Sequence, residues 1–211
     1  QVRAFTTAQV AALATDQVAA LTTDQVKSLG GAQLAALSSD QIQAASTDQI
    51  RAIDQRVVSS LSTAALGAMS TSQMAGWTSR QMYAMTTGQI QSLGAANIAA
   101  VDTAALVGLS SLQIVALTSD QAAALTTDQI QALSGRQIAA FETNDLNSFT
   151  TDQIVALTGG QVGSLTQLQM AHLGTTQLGA IETNDIQVLR TSQMAALSTG
   201  QVGGFTTDQM S

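Results

Sequence analysis

The sequence predicts an all-α solenoid of about 26 short two-turn helices, one for each unit of an eight-residue tandem repeat. Three observations support this fold class. From Phe5 onward the chain divides into octads without a single insertion or deletion. Positions 1 and 6 of every octad are apolar, and positions 2 and 5 commonly pair a Thr or Ser with a Gln. Such a pairing is the sequence signature of a capped helix N-terminus.

The consensus octad is L-T-T-D-Q-I-x-A. Position 5 is Gln in 20 of the 26 octads. Position 8 is nearly always Ala, Ser or Gly, with His172 and Val188 as exceptions, and Ala122 is the smallest residue at position 6. The repeat is therefore conserved in size and polarity at the positions that a packed core would need.

Each octad contains three signals for the start of a helix. The hydroxyl at position 2 can accept from the backbone N–H three residues later, while the Gln at position 5 reaches back to the cap. The apolar residues at positions 1 and 6 then form a hydrophobic staple. Asp at position 4, as in Asp16 and Asp24, lies in the first turn and interacts favourably with the helix dipole. We expect the next Thr cap to end each helix at a sharp bend.

A helix this short is not stable alone. It can persist only by stacking its apolar edge on neighbouring helices, as in other solenoids. The small residues at position 8 allow helices to approach closely, and each buried Leu or Ile contributes roughly 1.5–3 kcal/mol.

Two other architectures account for the pattern less well. In one continuous helix the apolar positions would drift by about 80° per octad and would never form one face. A β-solenoid is the alternative fold, since position 6 is rich in Ile and Val and Gln could form ladders. Positions 1 and 6 have opposite parity in a strand, however, and Ala, Gln, Leu and Met favour helix.

We predict one continuous octapeptide-repeat solenoid over residues 1–211, and we expect it to be a fragment of a longer array because both termini fall inside an octad. A five-octad, 40-residue higher-order repeat is clearest from 61 to 211. It is marked by octads that lack the usual Gln, which begin at Leu61, Val101, Phe141 and Ile181. The 40-residue unit is either a duplicated segment or one geometric turn of the structure.

The chain is acidic, with a net charge of −7, and only 10% of its residues are charged. An acidic chain without a visible basic cluster argues against nucleic-acid partners and against anchoring to anionic lipid. No run of about 18 apolar residues is present, so no transmembrane segment is predicted. The absence of Cys excludes disulfides, thiolate metal sites and cysteine nucleophiles.

No catalytic, cofactor-binding or metal-binding residues are predicted, and we expect no cofactor and no enzymatic activity. His172 is the only histidine and cannot build a usual zinc site alone. The oxygen-rich runs 142–145 and 182–185 could suggest calcium, yet they lack the D-x-D-x-D-G spacing. We interpret them as helix starts capped by Thr143 and Thr183.

Methionine and tryptophan fall on positions that the repeat assigns to the core. We predict that Trp77 and all seven methionines are core residues. The methionines are Met69, Met74, Met82, Met85, Met170, Met194 and Met210.

The string L-T-x-x-Q-V/I-x-A-L, as in residues 21–26 and 125–133, resembles the first helix of the repeats in TAL effectors. This resemblance implies a helix with Thr as its cap. It does not imply DNA binding, because the second helix and the base-reading loop of that family have no counterpart here.

Over its whole length the Cys-free, acidic, Thr/Ala/Gln-rich array resembles large repetitive bacterial secreted and surface proteins of the adhesin or fibre-forming type. The resemblance implies a non-catalytic spacer, or a self-assembling filament or surface element, of an extracellular bacterial protein. Its partners would be neighbouring segments or copies of itself, or a protein or glycan at the cell surface. The alternative function is a solenoid interaction scaffold that binds a protein or glycan.

Overall fold

The computed structural model of the chain describes residues 2–210. Residues 1 and 211, assigned above to incomplete octads, lie outside this range. The described residues form helices and turns with no strand, so the all-α solenoid is confirmed and the β-solenoid alternative is wrong. Three short segments are 3₁₀ helices: η1 (Val2–Ala4), η2 (Gln55–Ser60) and η3 (Asp208–Met210).

The α-helices follow one another at intervals of one octad. They are α1 (Thr7–Ala11), α2 (Thr15–Ala19), α3 (Thr23–Lys27), α4 (Gly31–Ala35), α5 (Ser39–Gln43), α6 (Thr47–Ala52), α7 (Thr63–Gly67), α8 (Thr71–Met74), α9 (Ser79–Ala84), α10 (Thr87–Ser92), α11 (Ala95–Ala100), α12 (Thr103–Leu106), α13 (Ser111–Val115), α14 (Ser119–Ala123), α15 (Thr127–Ala132), α16 (Gly135–Ile138), α17 (Thr143–Asn147), α18 (Thr151–Val155), α19 (Gly159–Val162), α20 (Gln167–His172), α21 (Thr175–Ala180), α22 (Thr183–Ile186), α23 (Thr191–Met194) and α24 (Thr199–Val202).

The predicted capping box is confirmed at most helix starts. At α3, Thr22 is the N-cap, in an extended conformation with φ −73° and ψ 159°. Its Oγ1 accepts a hydrogen bond of 3.2 Å from the Gln25 backbone N–H. In return, the Gln25 Oε1 accepts one of 2.7 Å from the Thr22 backbone N–H. The two bonds satisfy donors that a helix N-terminus otherwise leaves unpaired.

Where position 2 has no hydroxyl, only half of the box remains. Ala14 is the N-cap of α2, and the Gln17 Oε1 still accepts from its backbone N–H at 2.9 Å. The prediction that Thr143 and Thr183 are caps is wrong. Glu142 and Glu182 occupy the N-cap position without a side-chain cap bond, because the octad register places each Thr one residue later.

Each helix ends after four to six residues, which is somewhat less than the two turns predicted. The helix stops because the next octad begins with an extended residue, as at Leu93 with φ −71° and ψ 136°. The backbone N–H of position 1 donates to the carbonyl of position 6 before it, for example from Leu29 to Val26 at 3.1 Å. None of the described residues has a positive φ, so the bend requires no left-handed residue.

The chain forms two compact units, Gln1–Leu109 and Ser110–Ser211. Within each unit a helix packs against the helix three octads later, such as α3 against α6 in the first unit and α14 against α17 in the second. Hydrogen bonds between stacked helices join residues 25 to 31 apart, such as Gln43 to Ala68 and Gln81 to Ile50. One solenoid turn in each unit therefore contains between three and four octads, so a 40-residue period does not match one turn.

The core lies between the stacked turns and is built from positions 1 and 6. Met74, Met82 and Ile90 are fully buried, and Trp77 is 2% exposed. The core prediction is wrong for Met194 and Met210, which are 37% and 64% exposed. Both occupy position 6 of the last octads, where no later turn within residues 2–210 packs on them.

Candidate functional site

The most regular polar feature of the molecule is a row of buried glutamines at position 5. The side-chain amide of Gln81 is a representative example at 2% exposure. Its Nε2 donates to the carbonyls of Ile50 at 2.9 Å and Ile53 at 2.8 Å, both in the preceding turn of the solenoid. Its Oε1 accepts from the backbone N–H of Thr78 at 3.0 Å. One side chain therefore caps its own helix and also joins two turns.

This pattern recurs in both units with a constant sequence separation. The Nε2 of each such glutamine donates to carbonyls 31 and 28 residues earlier, as Gln49 does in the first unit and Gln201 in the second. We call this repeated set of bonds the glutamine ladder. Its acceptors lie at the bend between two octads, where helix carbonyls lose their partners within the helix.

The glutamine ladder explains why position 5 contains Gln rather than Glu, which the capping box does not explain. Glu would complete the box as well as Gln and would interact better with the helix dipole. Nevertheless, position 5 never contains Glu in any octad. Glu has no amide N–H, so it could not donate to the preceding turn. The use of Gln in 20 octads and of Glu in none was the sequence signal for a second bonding role, and the capping argument alone missed it.

Two of the six octads that lack Gln place an acidic residue, Asp145 or Asp185, at the same position. Asp145 is buried, and its Oδ1 accepts a hydrogen bond of 2.7 Å from the hydroxyl of Ser119. Its Oδ2 is buried without a hydrogen-bond partner. The described part of the chain holds no group of three or more His, Asp or Glu side chains that could bind a metal ion.

Asp185 occupies the equivalent place in the second acidic run. Burial raises the pKa of its carboxyl group, and repulsion by Glu182 raises it further. A raised pKa in the folded state means that folding favours the protonated form. The associated stability is present below the pKa of the unfolded chain and is lost as the pH rises through the folded pKa.

We therefore expect Asp185→Asn to remove this pH-dependent loss. The free energy of unfolding of the variant, relative to that of the wild-type chain, should be higher at pH 7 than at pH 4. Urea unfolding at the two pH values measures the effect. Asp128→Asn is the control, because Asp128 is exposed at position 4. Equal changes for the two substitutions would contradict the role assigned to burial of Asp185.

His172 lies in the last turn of α20 and is exposed. Its Nδ1 is 2.8 Å from the carbonyl oxygen of Leu168 in the same helix. This interaction is local and connects the ring to no nucleophile. Its position agrees with the interpretation of His172 as a substituted residue at position 8.

The described helices are all short. None of them is long and apolar enough to cross a membrane.

Comparison with known protein families shows a match to a repeat family. The model of the ALTTAQ repeat matches residues 1–31, 98–135, 138–175 and 178–211, which together make up more than half of the chain. The family's motif appears here with small changes, as AFTTAQ at 4–9 and ALTTDQ at 20–25. Its last three matches begin 40 residues apart. No curated protein matches the chain significantly. The chain belongs to the ALTTAQ repeat family.

Proposed function

We propose that this chain is a non-catalytic structural element of an extracellular bacterial protein, which acts as a spacer or assembles end to end into a filament or surface layer. The observation that carries the proposal is the glutamine ladder, whose bonds are the same from turn to turn within each unit. A structure held by one repeated contact can be extended by adding further turns.

The two faces of any solenoid turn are complementary. One face presents the Nε2 groups of its glutamines. The other presents carbonyls at the octad bends and the apolar side chains at position 6. Wherever an array of these octads stops, it leaves one face of each kind. In this chain Gln9 and Gln17 are exposed on the first, and Met194 and Val202 are 37% and 40% exposed on the second.

End-to-end contact between two copies would repeat the contact already present inside each unit. The glutamine amides of one copy would donate to the carbonyls of the other, and the exposed position 6 side chains would be buried. Such a contact joins two different faces, so it is heterologous and generates an open filament when the rotation does not close.

We expect Val202→Lys to abolish end-to-end assembly, because it places a charge in the apolar part of this contact. Sedimentation velocity over a range of concentrations, with electron microscopy of the same samples, would measure assembly. Val155→Lys is the matched control, because Val155 is 45% exposed on a helix that other turns already cover.

The wild-type chain and Val155→Lys should form concentration-dependent fibres, whereas Val202→Lys should stay monomeric. Monomeric rods of the wild-type chain at every concentration would contradict assembly and support the spacer role. Fibres of all three proteins would contradict the contact proposed.

The extracellular bacterial setting is supported by the resemblance of the array to repetitive surface proteins. The scattered titratable groups support a structural role, since His172 and the two acidic runs lie in separate octads. Immunogold labelling of intact cells of the source organism would test the location, and label confined to the cell interior would contradict it.

A further inference from the structure

We propose that the first unit, Gln1–Leu109, carries a binding groove for an acidic polysaccharide with carboxylate groups along its chain. The groove is centred on the octad at 53–60. This inference deepens the scaffold alternative, in which the solenoid binds a glycan, and it does not depend on end-to-end assembly.

The first observation is a concentration of positive charge in an acidic protein. Five of the seven Lys and Arg residues of the chain line three cavities that share lining residues, with volumes of about 630, 580 and 550 Å³. The only carboxylate lining these cavities is that of Asp54. The five cations are Arg3, Lys27, Arg51, Arg56 and Arg80.

Apart from Arg51 and Arg56, neighbouring cations of this set are 24 residues apart, so the linear chain shows no basic cluster. Arg3, Lys27 and Arg51 are separated by 24 residues each, and Arg56 and Arg80 by the same interval. Three octads are 24 residues, which is the offset between stacked helices. The solenoid therefore places these side chains above one another on successive turns.

The second observation is that the groove is centred on the least regular octad of the unit. The sequence IDQRVVSS has Val57 in place of the usual Gln and forms the 3₁₀ helix η2, between α-helices on either side. Asp54, Gln55 and Arg56 from this octad line the cavities. Departures from a regular pattern that coincide with a specific surface feature are expected at functional sites.

The carboxylate of Asp54 in the groove is already paired with Arg56. Asp54 accepts hydrogen bonds from the Arg56 backbone N–H at 3.0 Å and from its side-chain Nε at 3.0 Å, and it forms an ion pair with its Nη2. These bonds lower the pKa of Asp54 to about 2, so it stays ionised near neutral pH. Asp54 thus orients Arg56, whose side chain remains 82% exposed for a ligand.

The arrangement favours an extended polyanion over a small anion. The five cations are distributed over three adjoining cavities on successive turns, so one phosphate or carboxylate would contact only some of them. A polysaccharide with a carboxylate on every second sugar spaces its charges widely along an extended chain. It would therefore meet several turns at once.

The polar groups of the groove and the exposed ring of Tyr83 favour a sugar over a nucleic acid. Hydroxyl and amide groups of Ser79 and Gln55 line the groove beside the cations, and Tyr83, at 68% exposure, lies at one end. An aromatic ring can pack against the apolar face of a sugar. A nucleic acid strand extending beyond the groove would meet the acidic remainder of a chain with net charge −7.

The experiment titrates the full chain by calorimetry with hyaluronan oligosaccharides, which alternate glucuronate and N-acetylglucosamine. The test variant Arg51→Gln/Arg80→Gln should lose about tenfold or more in affinity, since two ion pairs are removed. The control variant Arg136→Gln/Arg190→Gln changes the net charge equally but lies in the other unit, and it should change affinity by less than about twofold. Circular dichroism of each variant checks that it is folded.

Three outcomes would overturn the inference. The wild-type chain could fail to bind hyaluronan, the two double variants could weaken binding equally, or neutral dextran could bind as tightly as hyaluronan. A single-stranded DNA oligonucleotide that binds more tightly than hyaluronan, with the same sensitivity to Arg51→Gln/Arg80→Gln, would make the groove a nucleic-acid site and reject the glycan. Sedimentation of the same samples reports assembly separately, so failure of one proposal is distinguishable from failure of the other.

Discussion

Gln81→Glu should destabilise the first unit by about 3 kcal/mol or more at pH 7. The substituted carboxylate could still accept from the Thr78 backbone N–H, so the cap survives. It could not donate to the carbonyls of Ile50 and Ile53, and it would bring a negative charge into a buried position against two carbonyl oxygens. Urea unfolding followed by circular dichroism measures the loss.

The loss should depend on pH in a defined direction. Burial raises the pKa of a carboxyl group, so folding would favour the protonated form of the new side chain. The variant would therefore recover part of its stability below the ordinary pKa of Glu, about 4.3, and lose it as the pH rises. Unfolding at pH 4 and at pH 7 separates this effect from a general packing defect.

Gln17→Glu provides the matched control for the same chemical change. Gln17 is exposed, and its Oε1 accepts from the Ala14 backbone N–H at 2.9 Å. Since no described turn lies beneath it, the substitution should change stability by no more than about 0.5 kcal/mol. Equal effects at Gln17 and Gln81 would mean that Gln is required only for capping.

These two positions illustrate which parts of the fold could be predicted from sequence. The capping box joins residues three apart, so its bonds can be derived from one octad without knowledge of the rest. The ladder joins residues 28 and 31 apart. That separation depends on the bend angle accumulated over several octads, and no single octad contains this information.

The same limit applies to the surface and to the core. The basic groove arises because residues 24 apart come to lie on successive turns, whereas composition alone describes an acidic chain. Met194 has the correct position in its octad for burial, yet it is exposed. A core position is buried only when a neighbouring turn covers it, and the octad pattern does not contain that information.

The spacing between turns can be tested by adding one methyl group to a glycine. Gly108→Ala should lower the free energy of unfolding by about 1–3 kcal/mol, because a Cβ at this position would lie 2.8 Å from the Cα and the carbonyl carbon of Ser79. These are backbone atoms of the stacked helix α9, so they cannot move aside as the end of a flexible side chain can.

Gly88→Ala should have the opposite sign and raise the free energy of unfolding by about 0.5–1 kcal/mol. Gly88 lies inside α10, and a Cβ there would have no atom within 4 Å. The gain comes from the lower backbone entropy of Ala in the unfolded chain. Neither glycine has a positive φ, so backbone strain does not separate the two sites and any difference reflects the space between turns.

Urea unfolding measures both effects. If both substitutions stabilised the chain, the space between α9 and Gly108 would be larger than the Cβ distances at Gly108 indicate. Because Gly108, Ser79 and Arg80 line the same cavity, destabilisation by Gly108→Ala alone would also show that close stacking of these two turns forms that wall of the groove.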